Sequence, residues 1–411
     1  MVDEGHSDDA PKRGAQGPLA GVRVIDLSNF LAAPSVSMYL GDMGAEVIKV
    51  ERPDGGDEFR NWGRNVDGVG LYYKVINRNK RSITADLGDD LGVRIVKKLV
   101  ETADILIENY RPGRMERWGL DYATLSAINP GLIMLRVTGY GQNGPYAHKP
   151  GFGTALEGFG GAVYISGYPE MPPLLPSFGL ADSSSGIMGA FLASAALHER
   201  DRNGGLGQVV EFGLYEAMLG MLGPVVIDYD QLGIVQERAG SRVPWVAPRN
   251  TYSTKDGLWV SLSASSDQTF ARLCQALGAP HLIEDARFRT NRERIQNASA
   301  LDDALQEAIA GFSRSELIEL LESGNAVVAP VNSVAEIFAD PHIIARENIT
   351  PVFDEELARP LRMQNVVGRF SRTPGEIRSA GPSLGEHNRD ILVGELGFTV
   401  AELSAAGLPL D

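Results

Sequence analysis

The sequence predicts an α/β protein in which a parallel β-sheet forms a large domain, followed by a smaller α+β region. Three observations predict this class. A strand, a helix and a second strand follow one another at residues 22–27, 34–44 and 46–50. Strands and helices then keep alternating to about residue 232, which is typical of parallel sheets with helical crossovers. Beyond that residue the chain becomes polar and proline-bearing, and a hairpin pattern replaces the alternation.

The other elements follow from apolar runs and from the helical period of apolar residues. Further strands of the sheet are predicted at residues 81–87, 105–107, 132–137 and 209–212, and helices at 91–102, 122–128, 184–200 and 214–232. In the smaller region the sequence predicts a hairpin at 252–262 that turns at Lys255-Asp256-Gly257, then helices at 268–277, 301–310 and 315–322. Extended segments and a short helix at 390–396 are predicted after residue 341.

The length of 411 residues suits two or three domains rather than one. We expect a disordered leader at residues 1–17, the large domain at 18–232, the small α+β domain at 233–340 and a C-terminal return to the large domain at 341–411. The leader is polar and lacks the apolar segment of a signal peptide, so a cytoplasmic location is expected.

The composition excludes several classes of function. Lys and Arg number 38 against 53 Asp and Glu, and a net charge of −15 argues against a nucleic-acid or membrane-surface binder. The sequence contains no run of about 18 apolar residues, so no membrane span is predicted. Cys274 is the only cysteine, and the six histidines lack metal-ligand spacing, so no disulfide and no metal site are expected.

The loop after the first strand argues against a dinucleotide site. Residues 28–34 read SNFLAAP, without the glycines that let a backbone approach a pyrophosphate closely. Glu51 does end the second strand, where dinucleotide-binding folds keep an acid for the ribose. The sequence therefore favours a Rossmann-like layer that binds no dinucleotide.

Basic residues cluster near the predicted ends of strands. Because anionic ligands often bind at the carboxyl edge of a parallel sheet, these clusters indicate either an anion site or solvated surface. They comprise Lys49 and Arg52; Arg78, Lys80 and Arg81; and Arg111, Arg114 and Arg117.

Asp182 is the carboxylate that stands out. It lies among small and apolar residues directly before a predicted helix, in the segment FGLADSSSG. One interpretation is an N-cap, whose side chain accepts a hydrogen bond from a backbone N–H of the first turn. The other is a nucleophile, since a helix N-terminus favours the ionised form of a carboxylate.

Six motifs, in order along the chain, resemble those of the class III CoA-transferases, a family that also contains the 2-methylacyl-CoA racemases. The resemblance begins at about residue 18 and runs to the end. The motifs are GVRVIDL at 21–27, GAEVIKVERP at 44–53, NRNKRSI at 77–83, ADILIENYRPG at 103–113, GGLGQVV at 204–210 and PSLGEHN at 382–388.

The resemblance implies an enzyme that moves CoA from an acyl-CoA donor to a free carboxylic acid, with CoA as part of the substrate and no permanently bound cofactor. It implies Asp182 as the nucleophile, a Rossmann-like large domain with the smaller domain inserted in it, and two chains interlocked as a homodimer. The CoA-contacting positions that it implies are Leu31, Ala32, Arg52, Ala85, Asn109, Tyr110, Arg111 and Arg117.

Two departures from the family pattern narrow the activity. The glutamine and glutamate near the nucleophile of formyl-CoA transferase match Leu31 and Gly153 here, so formyl transfer is disfavoured. The histidine base of the racemases matches Phe152, whose side chain cannot act as a proton acceptor or donor. A 2-methylacyl-CoA racemase and a non-catalytic CoA-binding homologue remain the alternatives.

Overall fold

A computed structural model describes residues 16–410 of the chain. These residues form two compact units, each built from segments that are separate in the sequence. The larger unit comprises the described residues up to Ala162, Leu175–Val226 and the residues from Arg346 onward; the smaller unit comprises Val163–Leu174 and Ile227–Ala345. The leader expected at residues 1–17 lies almost wholly outside the described residues.

The regular elements are as follows. The strands are β1 (Arg23–Asp26), β2 (Glu46–Glu51), β3 (Asn65–Val66), β4 (Val69–Gly70), β5 (Lys80–Thr84), β6 (Ile105–Glu108), β7 (Ile133–Thr138), β8 (Val209–Gly213), β9 (Arg249–Ser253), β10 (Trp259–Ser263), β11 (Val328–Pro330), β12 (Ile349–Asp354) and β13 (Arg359–Gln364). The helices are α1 (Ala32–Asp42), α2 (Leu71–Ile76), α3 (Asp90–Val100), α4 (Arg114–Arg117), α5 (Tyr122–Ile128), α6 (Gly153–Phe159), α7 (Leu180–Arg202), α8 (Leu214–Met221), α9 (Val225–Leu232), α10 (Asp267–Ala276), α11 (His281–Glu284), α12 (Asn291–Gln296), α13 (Ala298–Ile309), α14 (Arg314–Ser323), α15 (Val334–Ala339), α16 (Pro341–Ala345) and α17 (Val400–Ala405). A 3₁₀ turn spans Glu58–Asn61 and a π-helical segment spans Arg389–Glu395.

Six parallel strands form the sheet of the larger unit, in the order β5-β2-β1-β6-β7-β8, which confirms the predicted α/β class. The strands are short and apolar because helices cover both faces: α3 and α5 pack on one face, and α1 and α7 on the other. The chain runs from β1 outward to β5 and then returns to place β6 on the other side of β1. Ligands bind at such a switch point, outside the carboxyl ends of the strands.

Small residues let α7 lie directly against α1. A Cβ added to Gly186 would meet the Cβ of Ser35 at 2.6 Å, and one added to Gly189 would meet Cγ2 of Val36 at 2.5 Å. Among the described residues, α7 is also the one helix whose length and composition would allow it to cross a bilayer. In this structure it packs against α1, α6, α8 and the sheet as part of the larger unit.

The smaller unit contains the predicted hairpin. Strands β9 and β10 pair antiparallel around a turn in which Gly257 takes a φ of +75°, and β11 pairs with the other edge of β10. The three predicted helices correspond to α10, α13 and α14. Their apolar residues, among them Phe270, Leu305 and Leu317, form the core of this unit.

Several observed elements differ from the sequence prediction, and two of them border the cavity or the boundary between the units. The single helix predicted at residues 214–232 is wrong, because α8 ends at Met221 and α9 begins at Val225. Gly223 takes a φ of +62° between them, and Pro224 disfavours a helical conformation in the residue before it. Helix α6 was not predicted, since its segment GTALEGF is short and contains two glycines.

Candidate active site

A cavity of about 480 Å³ opens at the carboxyl edge of the large sheet. Its walls come from the residues that follow β2, β5 and β6, from the end of β7, and from the loop that leads into α6. Parallel strands bring their carboxyl ends to one edge, so segments far apart in the sequence meet here.

The cavity brings together seven of the nine residues that the sequence singled out: Ala32, Arg52, Ala85, Asn109, Tyr110, Arg111 and Asp182. The other two do not line it. Leu31 packs at the start of α7, with its Cδ2 at 3.0 Å from where a Gly179 Cβ would lie. Arg117 is exposed on α4, while Arg114 of the same helix lines the cavity with its guanidinium over the Trp118 ring.

Three arginines give the outer part of the cavity its positive charge. Arg52 donates from Nε to the Gly56 carbonyl at 2.9 Å, and its guanidinium lies 3.6 Å from the Glu58 carboxylate in a pair whose two side chains are both 57% exposed. Arg111 and Arg114 are also exposed at the rim. Guanidinium groups held in this way suit phosphate oxygens, so this part of the cavity can bind a phosphorylated ligand.

Glu51 is buried and structural, although it occupies the position of a ribose-binding acid. It accepts hydrogen bonds from Arg60, Tyr73 and Ser82 at 2.7–2.9 Å. Burial opposes its ionisation, but the bonds from Arg60 and the charge of Lys49 lower the pKa of Glu51 to about 2. The need to neutralise Arg60 therefore explains this acid without a dinucleotide.

A buried ion pair holds the glycine-free loop after β1. The Asp57 carboxylate lies 2.9 Å from Lys49 Nζ and accepts a hydrogen bond from the Phe30 N–H at 3.0 Å. Phe30 takes a φ of +68°, which is rare for a residue with a side chain. Its ring then meets the Phe152 ring edge-on at 5.4 Å, and the two form an aromatic wall of the cavity.

Asn109 ties this loop to the end of β6. Its Oδ1 accepts from the Asn29 N–H at 2.9 Å, and its Nδ2 donates to the Asn29 carbonyl at 2.8 Å. The Tyr110 ring packs edge-on against Trp118 at 4.8 Å. Asn109 and Tyr110 thus shape the cavity. Part of each side chain is already used in contacts within the protein.

Asp182 is the third residue of α7 and faces the cavity. The N-cap interpretation is wrong, because Gly179 is the N-cap and the helix begins at Leu180. The Asp182 carboxylate rests on Gly153, where an added Cβ would lie 2.1 Å from Oδ2. Within residues 16–410 it accepts no hydrogen bond. Burial and the neighbouring charge of Glu157 raise the pKa of Asp182 to about 6.

Glu157 is a site residue that the sequence analysis missed. Its side chain is buried, and its Oε1 accepts a hydrogen bond from the Ala181 N–H at 3.1 Å. Gly153 and Glu157 are four residues apart on α6, so both lie on the face that meets the first turn of α7. The i, i+4 spacing of Gly153 and Glu157 is visible in the sequence. Only the packing of α6 on α7 shows that both residues lie beside Asp182.

The arrangement provides a half-buried carboxylate without a hydrogen-bond partner, beside an aromatic wall and below a cationic rim. Such a carboxylate can act as a nucleophile or as a proton acceptor. Among the described residues no cluster of His, Cys, Asp and Glu has the geometry of a metal site.

Comparison with known proteins gives one consistent result. The sequence profile of CoA-transferase family III matches residues 19–388. The chain is 43% identical to succinyl-CoA–D-citramalate CoA-transferase of Chloroflexus aurantiacus over 94% of its length and 96% of that protein. It is 34% identical to succinate–glutarate CoA-transferase of Agrobacterium fabrum over 93% and 96%. A CAIB/BAIF family protein from Brucella suis superimposes with a TM-score of 0.81 at 35% identity, covering 93% of this chain and 100% of that one.

Proposed function

Because the chain belongs to CoA-transferase family III and is a CoA-transferase, we propose that it moves CoA from succinyl-CoA to a second dicarboxylic acid through covalent intermediates on Asp182. Family membership and the relatives support transfer of CoA between an acyl-CoA and an organic acid. The succinyl donor and the dicarboxylic acceptor rest on the activities named for those relatives.

The proposed chemistry begins with attack of the Asp182 carboxylate on the donor thioester. A mixed anhydride forms between Asp182 and the donor acyl group, and CoA leaves as a thiolate. The thiolate attacks the aspartyl carbonyl, which releases the donor acid and leaves Asp182 as a CoA thioester. The acceptor carboxylate attacks this thioester, which forms a second anhydride and releases CoA again as a thiolate. The thiolate then attacks the acyl carbon of the acceptor and forms the new acyl-CoA. Asp182 is regenerated, and covalent catalysis splits one difficult exchange into easier steps.

One observation carries the proposal: the Asp182 carboxylate lies at the cavity, accepts no hydrogen bond within the described residues and has its pKa raised to about 6. At neutral pH most of it is ionised, while its basicity exceeds that of an ordinary aspartate. Hydrogen bonds to the ionised carboxylate would lower its pKa and make it a weaker nucleophile.

We propose that the CoA moiety lies between Asp182 and the cationic rim, with its phosphates near Arg52 and Arg111. The aromatic wall of Phe30 and Phe152 would then flank the acyl group. The proposed CoA-contacting set remains Leu31, Ala32, Arg52, Ala85, Asn109, Tyr110, Arg111 and Arg117.

We also propose a cytoplasmic homodimer with the smaller domain inserted in the larger one. The larger unit exposes a row of apolar side chains on α7, with Ile187 at 59% and Phe191 at 66% exposure, which a second chain would cover. Light scattering coupled to size exclusion measures the mass in solution. A monomer at micromolar concentration would contradict the dimer.

A substrate screen tests the proposed function. The purified protein is incubated with succinyl-CoA and one free acid at a time (glutarate, malate, citramalate, acetate, oxalate), and new acyl-CoA species are measured by mass spectrometry. We expect transfer to a dicarboxylic acid and none with Asp182→Asn. Transfer by the asparagine variant at the wild-type rate would exclude Asp182 as nucleophile. The absence of any transfer to dicarboxylic acids would exclude the substrate class.

A further inference from the structure

Two carboxyl groups meet at the N-terminal turn of α7. Glu157 of α6 binds the Ala181 N–H at 3.1 Å, and the next residue along the chain is Asp182. One turn earlier on α6, Gly153 supports the Asp182 carboxylate from the same side. Asp182 is therefore fixed by α6 at two points: its carboxylate at Gly153 and its backbone at the residue before it.

We propose that Glu157 is a positioning residue for the Asp182 nucleophile: it fixes the first turn of α7 through the Ala181 N–H and places a second carboxyl group beside Asp182. This inference rests on the function proposed for Asp182. Glu157 does not line the cavity. It acts on the reaction only through Asp182.

The burial of Glu157 needs an explanation beyond helix capping. Only 2% of the residue is exposed, and a buried carboxylate is costly unless it is well hydrogen-bonded. The Ala181 N–H needs only an acceptor oxygen, which a glutamine would supply without charge. A negative charge on Glu157 has a chemical effect on the neighbouring nucleophile. It disfavours ionisation of Asp182 and so makes the ionised Asp182 carboxylate more reactive towards electrophiles.

Within residues 16–410, Glu157 is the charged group that shifts the pKa of Asp182, in addition to burial. The remaining titratable and charged groups on elements packed against α7 bind elsewhere or are phenols. They are Tyr39 and Asp42 of α1, of which Asp42 pairs with Arg78; Arg136 of β7, which pairs with Glu108 and Glu116; Glu211 of β8, which binds the Gln142 N–H; and Tyr215 and Glu216 of α8, of which Glu216 binds the Gly213 N–H. Burial and the Glu157 charge are accordingly what raise the pKa of Asp182 to about 6.

The pH dependence of kcat/KM for Glu157→Gln tests the proposal, because the amide keeps an acceptor oxygen and removes the charge. In the wild type we expect the acidic limb near pH 6. In the variant we expect the limb to move down by at most about one pH unit, because burial is the larger of the two causes and is kept. With a Brønsted coefficient of about 0.5, as for thiolate attack, kcat at pH 8 should also fall by at most about threefold.

Glu216→Gln is the matched control. Glu216 also accepts a backbone N–H at a helix N-terminus, on α8, which packs against α7. This variant should leave the acidic limb unchanged. An unchanged limb in Glu157→Gln would overturn the inference, since a purely structural role for Glu157 does not move a pH profile. Equal shifts in both variants would overturn it as well.

A second measurement observes the Asp182 carboxyl directly. The wild-type protein is labelled with ¹³C-aspartate, and the Asp182 carboxyl resonance is assigned from its loss in Asp182→Asn. We expect the Asp182 carboxyl to titrate with a midpoint near pH 6, well above an ordinary aspartate, and the midpoint to fall in Glu157→Gln. A single step with a pKa near 4 would overturn the inference. Retained transfer by Asp182→Asn would instead refute the proposed function, so the two failures are distinguishable.

Discussion

Replacement of Asp182 by asparagine is expected to stabilise the folded protein at neutral pH while it abolishes transfer. The pKa of Asp182 is raised by burial and by Glu157 from 3.8 to about 6. The ionised form of the Asp182 carboxyl is therefore less stable, relative to the protonated form, in the folded state than in the unfolded state. Each pKa unit corresponds to about 1.4 kcal/mol, so the difference of about two units costs at most about 3 kcal/mol of unfolding free energy.

The sign of the effect follows from the two pKa values. Above pH 6 the carboxyl is ionised in both states, and the wild type carries the full cost. Below about pH 4 it is protonated in both states, and the cost is gone. The stability advantage of Asp182→Asn should therefore be largest at pH 7–8 and should shrink as the pH falls from 6 to 4.

Urea unfolding of both proteins at one protein concentration, from pH 4.5 to pH 8, measures this difference. The matched control is Asp121→Asn. The Asp121 carboxylate accepts the Thr124 N–H as the N-cap of α5, and this bond lowers its pKa. That variant should not be stabilised at pH 8. Equal stability of wild type and Asp182→Asn across the whole range would refute the argument that Asp182 is an unusually basic carboxylate.

Three further predictions concern the cavity. Arg111→Ala should raise the KM for acyl-CoA about ten- to a hundredfold with little change in kcat, because it removes one charge-assisted contact remote from the thioester. Arg94→Ala is the control, since Arg94 is an exposed arginine of α3 that does not line the cavity, and an equal rise in both variants would contradict a specific contact at Arg111. Gly153→Ala should lower kcat about a hundredfold and leave CoA binding intact, because its Cβ would lie 2.1 Å from Oδ2 and displace the Asp182 carboxylate. Wild-type turnover would contradict the argument that Gly153 sets the position of this carboxylate. Phe152→His should not incorporate α-deuterium into a chiral 2-methylacyl-CoA in deuterium oxide, since the polar ring replaces part of the aromatic wall and nothing then holds the α-proton within reach of a base on each side. Enzymatic exchange by the wild type would favour the racemase.

The large sheet was predictable because its strands are buried on both faces. Such strands read as short apolar runs, and β6 and β7 are buried throughout. Helix α5 was predicted with its observed bounds, Tyr122–Ile128, because Asp121 and Pro130 mark its ends. Helix α6 carried no such signal. Its first glycine is required by contact with Asp182, which is a tertiary constraint that no local pattern reveals.

The basic clusters were predicted as a group, but the structure divides them. Lys49 and Arg78 form buried pairs with Asp57 and Asp42, while Arg52 lines the cavity. Residue type and position at a strand end do not distinguish a buried, paired cation from one that lines the cavity. The difference depends on whether another segment of the chain supplies a buried acid. Glu157 was missed for the same reason.

Chemical trapping at Asp182 tests the central claim most directly. The protein is incubated with succinyl-CoA, treated with hydroxylamine, digested and sequenced by mass spectrometry. We predict an aspartyl hydroxamate confined to residue 182, absent without succinyl-CoA and absent from Asp182→Asn. Sustained turnover without a modified Asp182, or a hydroxamate at a different carboxylate, would contradict covalent catalysis by this residue.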